Sequence, residues 1–444
     1  MRRRQFLATT GGLAAVPVVA GRARSQSSSS FRPLGSLSLR GIAEAVVGDD
    51  GTTAYAAVSD GFATVDLSGP TAPAILAERR DPLAGRDGGP LDGIWDVKVD
   101  GDRLLVVGPA HGRTGNRLRA AAVYDVADPA APERVGVHET TYPIHNSYLR
   151  DGVAYLTAIG DGGAELATVS VESDPYRLGG WALTDHDPRW ADVPFALANL
   201  HDVYVRGDRA YLAVWDAGTW ILDVTDPADP TFVSRVRGRS VEELAELGRS
   251  AARDDAFRLP GNDHYVAVND AGDLLGIGIE AWGEPGPGGI VLYDVTDETD
   301  PERLARIAPP PTPDPSYDGV WTTAHNFGFD GDRLYSAWYQ GGLKVHDVSD
   351  PANPTEIAAW RDTDAACFWT ARSAADCVVA ASSSQPPTLD IEERLYTFPD
   401  PGSGGPTPDG STGTVTTGAS GPGFGVLAGL AGLGLGAWRY GRDR

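Results

Sequence analysis

"GGLKVHDVSDPANP" (Gly341–Pro354) sets a short apolar strand directly before two Asp-Pro-type turn signals. Looser copies read "RAAAVYDVADPAAP" (Arg119–Pro132), "GTWILDVTDPADP" (Gly218–Pro230) and "GGIVLYDVTDETDP" (Gly288–Pro301). Weaker ones are "GFATVDLSGPTAP" (Gly61–Pro73), "ELATVSVESDP" (Glu165–Pro175) and "ERLYTFPDP" (Glu393–Pro401), which makes seven along the 444 residues. A phrase repeated at this period marks a repeat architecture, so the length needs no division into unrelated domains.

Each copy ends a unit of roughly 45 to 70 residues. In the unit His201–Val236, Val203 and Val205 alternate with polar neighbours and Gly207-Asp208 makes a turn. Tyr211, Ala213 and Trp215 form a second strand, Trp220 to Val224 a third, and Val233 and Val236 belong to a fourth. Four short strands joined by tight turns describe a propeller blade. The Asp-Pro phrase reverses the chain after the third strand, because Asp or Asn binds turn amides while Pro fixes φ and blocks further pairing.

The expected fold class is therefore all-β: a seven-bladed β-propeller of four-stranded antiparallel blades over 31–398. The blades fall near 42–78, 94–138, 143–182, 199–237, 263–308, 324–361 and 367–398. The last unit supplies only three strands. "FRPLGSLSL" (Phe31–Leu39) resembles a fourth cut loose, and it is expected to pair into the last blade and close the ring.

The phrase family resembles the LVIVD repeat of bacterial and archaeal surface propellers. The resemblance spans Phe31 to about Phe398, and the Pro-containing turn after each "DV" carries it; the third and seventh units depart most. It implies a β-propeller, usually without an assigned reaction.

Net charge is −24, and the cationic side chains are almost all Arg, with Lys98 and Lys344 the only lysines. Such a surface repels nucleic acid and anionic lipid, which excludes nucleic acid as a partner. The acidity is spread along the chain, as in proteins adapted to high salt, typical of halophilic archaea. The two cysteines, Cys367 and Cys377, fall at offset positions on adjacent strands and read as separate buried thiols.

Both ends read as addresses. Residues 1–25 carry a basic cluster, a short apolar run and small residues, and Arg3-Arg4-Gln5-Phe6-Leu7 resembles the twin-arginine export pattern. That resemblance implies passage through the twin-arginine machinery in the folded state. Residues 399–421 form a Gly-, Ser- and Thr-rich stalk. In 422–444, Pro422-Gly423-Phe424, the short apolar run to Trp438 and the basic tail resemble the archaeal PGF-type C-terminal sorting signal. This implies a C-terminal sorting enzyme as partner and anchoring to the outer face of the cytoplasmic membrane.

Aligning units on their first strand puts His145, His201, His264 and His325 at one equivalent position, with Trp95 and Phe368 there in two other units and Ala43 in the first. Asn146, Asp202 and Asn326 follow three of the histidines. First strands line a propeller's channel, so these side chains should gather at one mouth. Either each imidazole bonds a neighbouring blade's backbone, or the four converge on a transition metal. No HExxH or CxxC spacing supports a metal locally.

Long connections are expected on the same face: Arg79–Gly93, Ala110–Arg117, Thr184–Asn199, Arg237–Asp263, Ile279–Gly289 and Ala308–Ala324. Within Arg237–Asp263, Ser240 and Glu243 form a capping box and predict a short helix. His111, His186, Trp190, Glu280, Trp282 and Trp321 are candidate rim residues. No nucleophile elbow, P-loop, dinucleotide fingerprint or calcium-loop order occurs.

Two functions fit. The first is a surface-displayed binding or scaffolding module that grips a small ligand or an envelope component. The second is a metalloenzyme, oxidoreductase-like, with a transition metal on the channel histidines, to which selenium-binding and methanethiol-oxidase propellers offer a distant likeness. A lactonase-like hydrolase would want several carboxylates around one cation, and this position offers mostly His.

Overall fold

Every copy of the phrase does run along a third strand and turn at its end. In the computed structural model, which describes residues 31–112, 115–160, 163–385 and 389–401, Asp66, Asp125, Asp223, Asp294 and Asp347 close their third strands. Each accepts a hydrogen bond from the amide two residues on, at 2.8 to 3.0 Å. The next residue, Leu67, Val126, Val224, Val295 or Val348, is buried and donates its amide back to the turn before the second strand. The phrase is thus a cap on both hairpins of a blade.

The strands sort into seven antiparallel sheets of four, six of them in sequence order from the axis outward. Their inner strands are Ile42–Val47, Asp96–Asp100, Ile144–Arg150, Asp202–Arg206, Asp263–Val268, Phe327–Asp330 and Phe368–Ser373. Each packs on the next, and the last packs on the first, so the sheets stand in a closed ring. Gly35–Ser38 pairs with Arg394–Phe398 and becomes the outer strand of the seventh blade. Stacking of Phe31 on Phe398, with ring centroids 5.4 Å apart, secures that join.

Adjacent blades are clasped through the phrase itself. The hydroxyls of Thr64, Thr168 and Thr397, all on third strands, donate to the carbonyls of Pro129, Pro227 and Pro70 in the phrase of the following blade. Ser234, on the fourth strand of its blade, donates likewise to the carbonyl of Glu298, which stands where Pro70, Pro129, Pro227 and Pro351 do in four other copies. Such a bond contributes about 1 kcal/mol net, and the approach demands a small outer-strand residue. Ala77, Gly136, Gly179, Ser234, Ala305 and Ala358 occupy that place, each directly after a β-bulge in the fourth strand. Gly35 takes the place in the seventh blade, where a Cβ would lie 2.7 Å from Thr71 O.

Two details differ from the sequence reading. Trp215 leaves the second strand, which ends at Val214, because its backbone pairs with Asp263 of the next blade. The connection from 237 to 263 holds two helices, Val241–Ala245 and Arg249–Asp255; the first has the Ser240/Glu243 capping box. Cys367 and Cys377 are separate buried thiols. The export signal (1–25), the sorting segment (422–444), the stalk beyond residue 401 and two residues of the Ala110–Arg117 connection lie outside the described residues.

Gly179→Ala should destabilise the propeller by about 1–3 kcal/mol, because its Cβ would enter the carbonyl of Ala228 in the next blade's phrase. Gly69→Ala, which meets nothing within 4 Å, should leave the urea midpoint in place.

Candidate functional site: an imidazole belt across the channel

The equivalent position in the seven blades does form a ring around the axis. His145 and His201 lie 4.2 Å apart by ring centroids, His201 and His264 3.6 Å, and His264 and His325 5.2 Å. Trp369 follows at 4.4 Å from His325, then Trp95 at 5.4 Å from Trp369, and Trp95 returns to His145 at 5.8 Å. The seventh blade contributes Trp369 where the sequence alignment put Phe368. A bulge between Phe368 and Thr370 turns Trp369 to the axis and leaves Phe368 in the core between blades. The first blade offers only Ala43, and this small residue lets the two tryptophans touch across it.

His111, reached from the second blade's long connection, wedges against Trp95 at 4.6 Å and His145 at 4.7 Å. The four inner-strand histidines are only 3–6% exposed. Burial holds His145 and His201 well below the usual imidazole range, helped by neighbouring imidazoles, and brings His111 and His325 to about 4. All four of these rings are neutral near pH 7.

Their hydrogen bonds separate them. Nδ1 of His201 lies 2.8 Å from His264 O, and Nδ1 of His325 lies 2.6 Å from Trp369 O, so both tie their strand to the next blade. His264 instead faces Glu280, with Nδ1 2.9 Å from Oε2. Burial opposes the Glu280 charge, but His264, His325 and the Tyr339 hydroxyl outweigh it and hold the carboxyl below its usual value. One donor atom from each of His264, Glu280 and His325 lies within 4.8 Å of the others, and all three residues are buried. This trio is where a metal could be held, and of the four channel histidines it contains His264 and His325.

A polar layer lies beneath the belt. Asp96 accepts from Ser147 at 2.6 Å and pairs with Lys98. Glu44 accepts from Asn326 and faces Arg372 at 3.3 Å, while Arg372 also donates to the Tyr265 hydroxyl at 2.6 Å. Burial pushes Glu44 up, but Arg372 and Lys98 prevail and keep it below its usual value. Asp202 accepts from Val266 N at 3.0 Å, and burial pushes it up to about 8. Asn146 is buried and exchanges backbone hydrogen bonds with the Thr157 hydroxyl. Beyond this layer the inner strands end in an open funnel of about 780 Å³, lined by Asp49, Asp100, Tyr148, Arg150, Tyr204 and Arg372 among others.

The rim candidates divide. Glu280, Trp282 and Trp321 sit over the belt: Trp282 meets Trp321 at 4.6 Å, and Trp321 meets Tyr339 at 5.1 Å. His186 and Trp190 lie in the fourth blade instead, packed against Trp220 at 5.2 and 5.8 Å. Sequence reasoning missed Tyr317 and Phe257, which complete the aromatic group around Trp282. It also missed Glu44, Asp96 and Arg372, whose only signal was charge on otherwise apolar inner strands.

Asp202 sets a pH dependence. Its folded pKa of about 8 exceeds an unfolded value of about 3.9, so the folded chain holds the extra proton between them and stability falls as pH rises toward 8. Denaturant midpoints should therefore drop between about pH 6.5 and 8, and Asp202→Asn should flatten that decline.

Among known proteins, the LVIVD repeat matches residues 199–237 and 325–361, the fourth and sixth blades. No curated protein matches the chain. The β-propeller domain of Cps50 (Swd1) from Myceliophteria thermophila is similar with a TM-score of 0.56 at 9% identity, covering 83% of this chain and 99% of that one. The WD40 β-propeller domain of Doa1 gives 0.51 at 10%, covering 83% and 97%. At such identities the likeness is one of fold. The chain is a seven-bladed β-propeller that carries LVIVD repeats in its fourth and sixth blades.

Proposed function

We propose that this propeller is a binding module, exported and anchored at the cell surface, that grips an envelope component with the aromatic deck over its imidazole belt. The observation that carries this reading is Tyr317, half exposed on top of Trp282, Trp321 and Phe257. Of the five large apolar side chains exposed among the described residues, the other four (Ile75, Leu76, Tyr176 and Phe232) sit on outer strands. Tyr317 alone projects from a long connection.

That connection is held in place. Trp321 Nε1 donates to Tyr317 O at 2.6 Å, Thr312 bridges to Val320 O at 2.8 Å, and Gly283 N reaches Pro315 O at 2.7 Å. Trp282 N bonds Phe257 O at 2.8 Å, so three connections meet under one exposed ring. A rigid aromatic platform offers apolar contact at low entropic cost, and its flat face suits the apolar face of a sugar ring. A hollow of about 640 Å³, lined by Pro313, Val320, Gln340 and Arg361 among others, lies beside this connection. The metalloenzyme reading has one observation behind it, the His264–Glu280–His325 trio, and it needs an ion there.

Tyr317→Ala should weaken binding to isolated envelope glycans about tenfold, the size of a lost aromatic anchor. Arg150→Ala in the opposite funnel should leave it unchanged. Equal affinity in the Tyr317 variant, or loss in the Arg150 variant alone, would move the site off this face. Replacing Arg3 and Arg4 together by Lys should retain the chain inside the cell, as read by fractionation; export at the normal level would remove the twin-arginine part of the reading.

A further inference from the structure

We propose that His264, Glu280 and His325 hold one divalent first-row transition-metal ion between the fifth and sixth blades. His264 comes from the fifth inner strand, Glu280 follows the end of the fifth blade's second strand at Ile279, and His325 precedes the sixth inner strand. Their donor atoms all lie within 4.8 Å of one another, and His264 Nδ1 and Glu280 Oε2 are already 2.9 Å apart, so only the wider separations need to draw in to the spacing of ligands about 2 Å from an ion.

Three further features point to a ligand. His325 must donate its Nδ1 proton to Trp369 O, which leaves the Nε2 lone pair unused, as in metal-bound histidines oriented by a carbonyl. Tyr339 donates to Glu280 Oε1 and fixes that carboxylate from outside. Both ring nitrogens of His264 are buried and make no hydrogen bond of regular geometry among the described residues, and Nδ1 is the one that faces Glu280, 2.9 Å from Oε2. A buried ring nitrogen without a partner is costly, and an ion would satisfy it.

The donor set selects the metal. Two imidazoles and one carboxylate suit zinc, iron, nickel or copper, whereas calcium and magnesium take oxygen. His201 is not a fourth ligand through Nδ1, which is committed to His264 O. Three protein donors fall short of the four in a closed structural zinc site, so water or an exogenous group would complete the shell. This inference stands apart from the binding of an envelope component.

The competing account is a metal-free ion pair between His264 and Glu280. The full chain, stripped with chelator, would be titrated with cobalt(II) in excess magnesium, which occupies the acidic surface. One equivalent should bind and give visible d–d bands, and zinc should displace it. His325→Ala and Glu280→Gln, each removing a direct ligand, should weaken binding by at least roughly 100-fold, since loss of an outer-shell partner alone costs up to that much. His138→Gln, on the second blade's outer strand, should not change it. Circular dichroism would establish that each variant is folded. Absorption at the metal edge of the loaded wild-type chain should show imidazole nitrogen neighbours, a readout that needs no variant. Absence of one-equivalent binding, an all-oxygen shell, or unchanged affinity in folded Glu280→Gln and His325→Ala would overturn the site.

Discussion

A hydroxyl on one blade bonded to a carbonyl in the next blade's turn is the constraint on which the ring depends. A four-stranded sheet cannot bury both faces alone; it must lie against two neighbours at a fixed inclination. The clasp from Thr64 to Pro129, Thr168 to Pro227 and Thr397 to Pro70 sets that inclination at the rim. Each bond is modest, but it holds only if the outer-strand residue beside it is small. The bulge before that residue in six of the blades opens the space. Turn, bulge and small residue form one device, and the Gly35–Ser38 strand extends it across the seam.

At the axis the solution is different, because seven inner strands crowd toward one line. Aromatic rings fill that space without aliphatic flexibility, and imidazoles add a hydrogen bond to the next strand. His201 and His325 use it. His264 cannot do the same in this arrangement, since its Nδ1 faces Glu280. The belt is therefore structural along most of its length and chemically distinct at one joint. Beneath it, Asp96 pairs with Lys98 of its own strand and Glu44 with Arg372, so buried charges stand where apolar packing could have stood. Burying such pairs is costly, and the Glu44–Arg372 pair joins the first and seventh blades while Ser147 and Asn326 tie the third and sixth to Asp96 and Glu44.

Much of this was legible because it is periodic. The phrase fixes its own local turn, and a local turn reads from local sequence, so blade number and the closing strand could be inferred from the copies and from "FRPLGSLSL". The histidines were legible for the same reason, as one position repeated. Trp369 was not, since a bulge shifts the seventh inner strand by one residue and nothing in "CFWTAR" announces it. His186 and Trp190 read as rim residues because they lie in a long connection, yet that connection folds down on Trp220. Tyr317 acquires its place from contacts with Trp282 and Phe257, which come from two other connections. Spacing along a strand is encoded locally; which loop meets which is not.

The two blades that match the LVIVD repeat carry one more shared element. Trp215 and Tyr339, each just past a second strand, both have positive φ, at 34° and 49°. Such a conformation costs about 1–3 kcal/mol in a bulky residue and persists only where surroundings enforce it. The enforcing contact is the same in both: the backbone pairs with the following blade, Trp215 with Asp263 and Tyr339 with Phe368. Each ring then lies over the histidine of its own blade, at 6.3 Å from His201 and 4.5 Å from His325. In the sixth blade this places a hydroxyl on Glu280, and in the fourth the indole N–H of Trp215 is buried with no hydrogen-bond partner among the described residues. One repeated backbone device thus supports two different chemistries, and the tyrosine copy is the one beside the His264–Glu280–His325 trio.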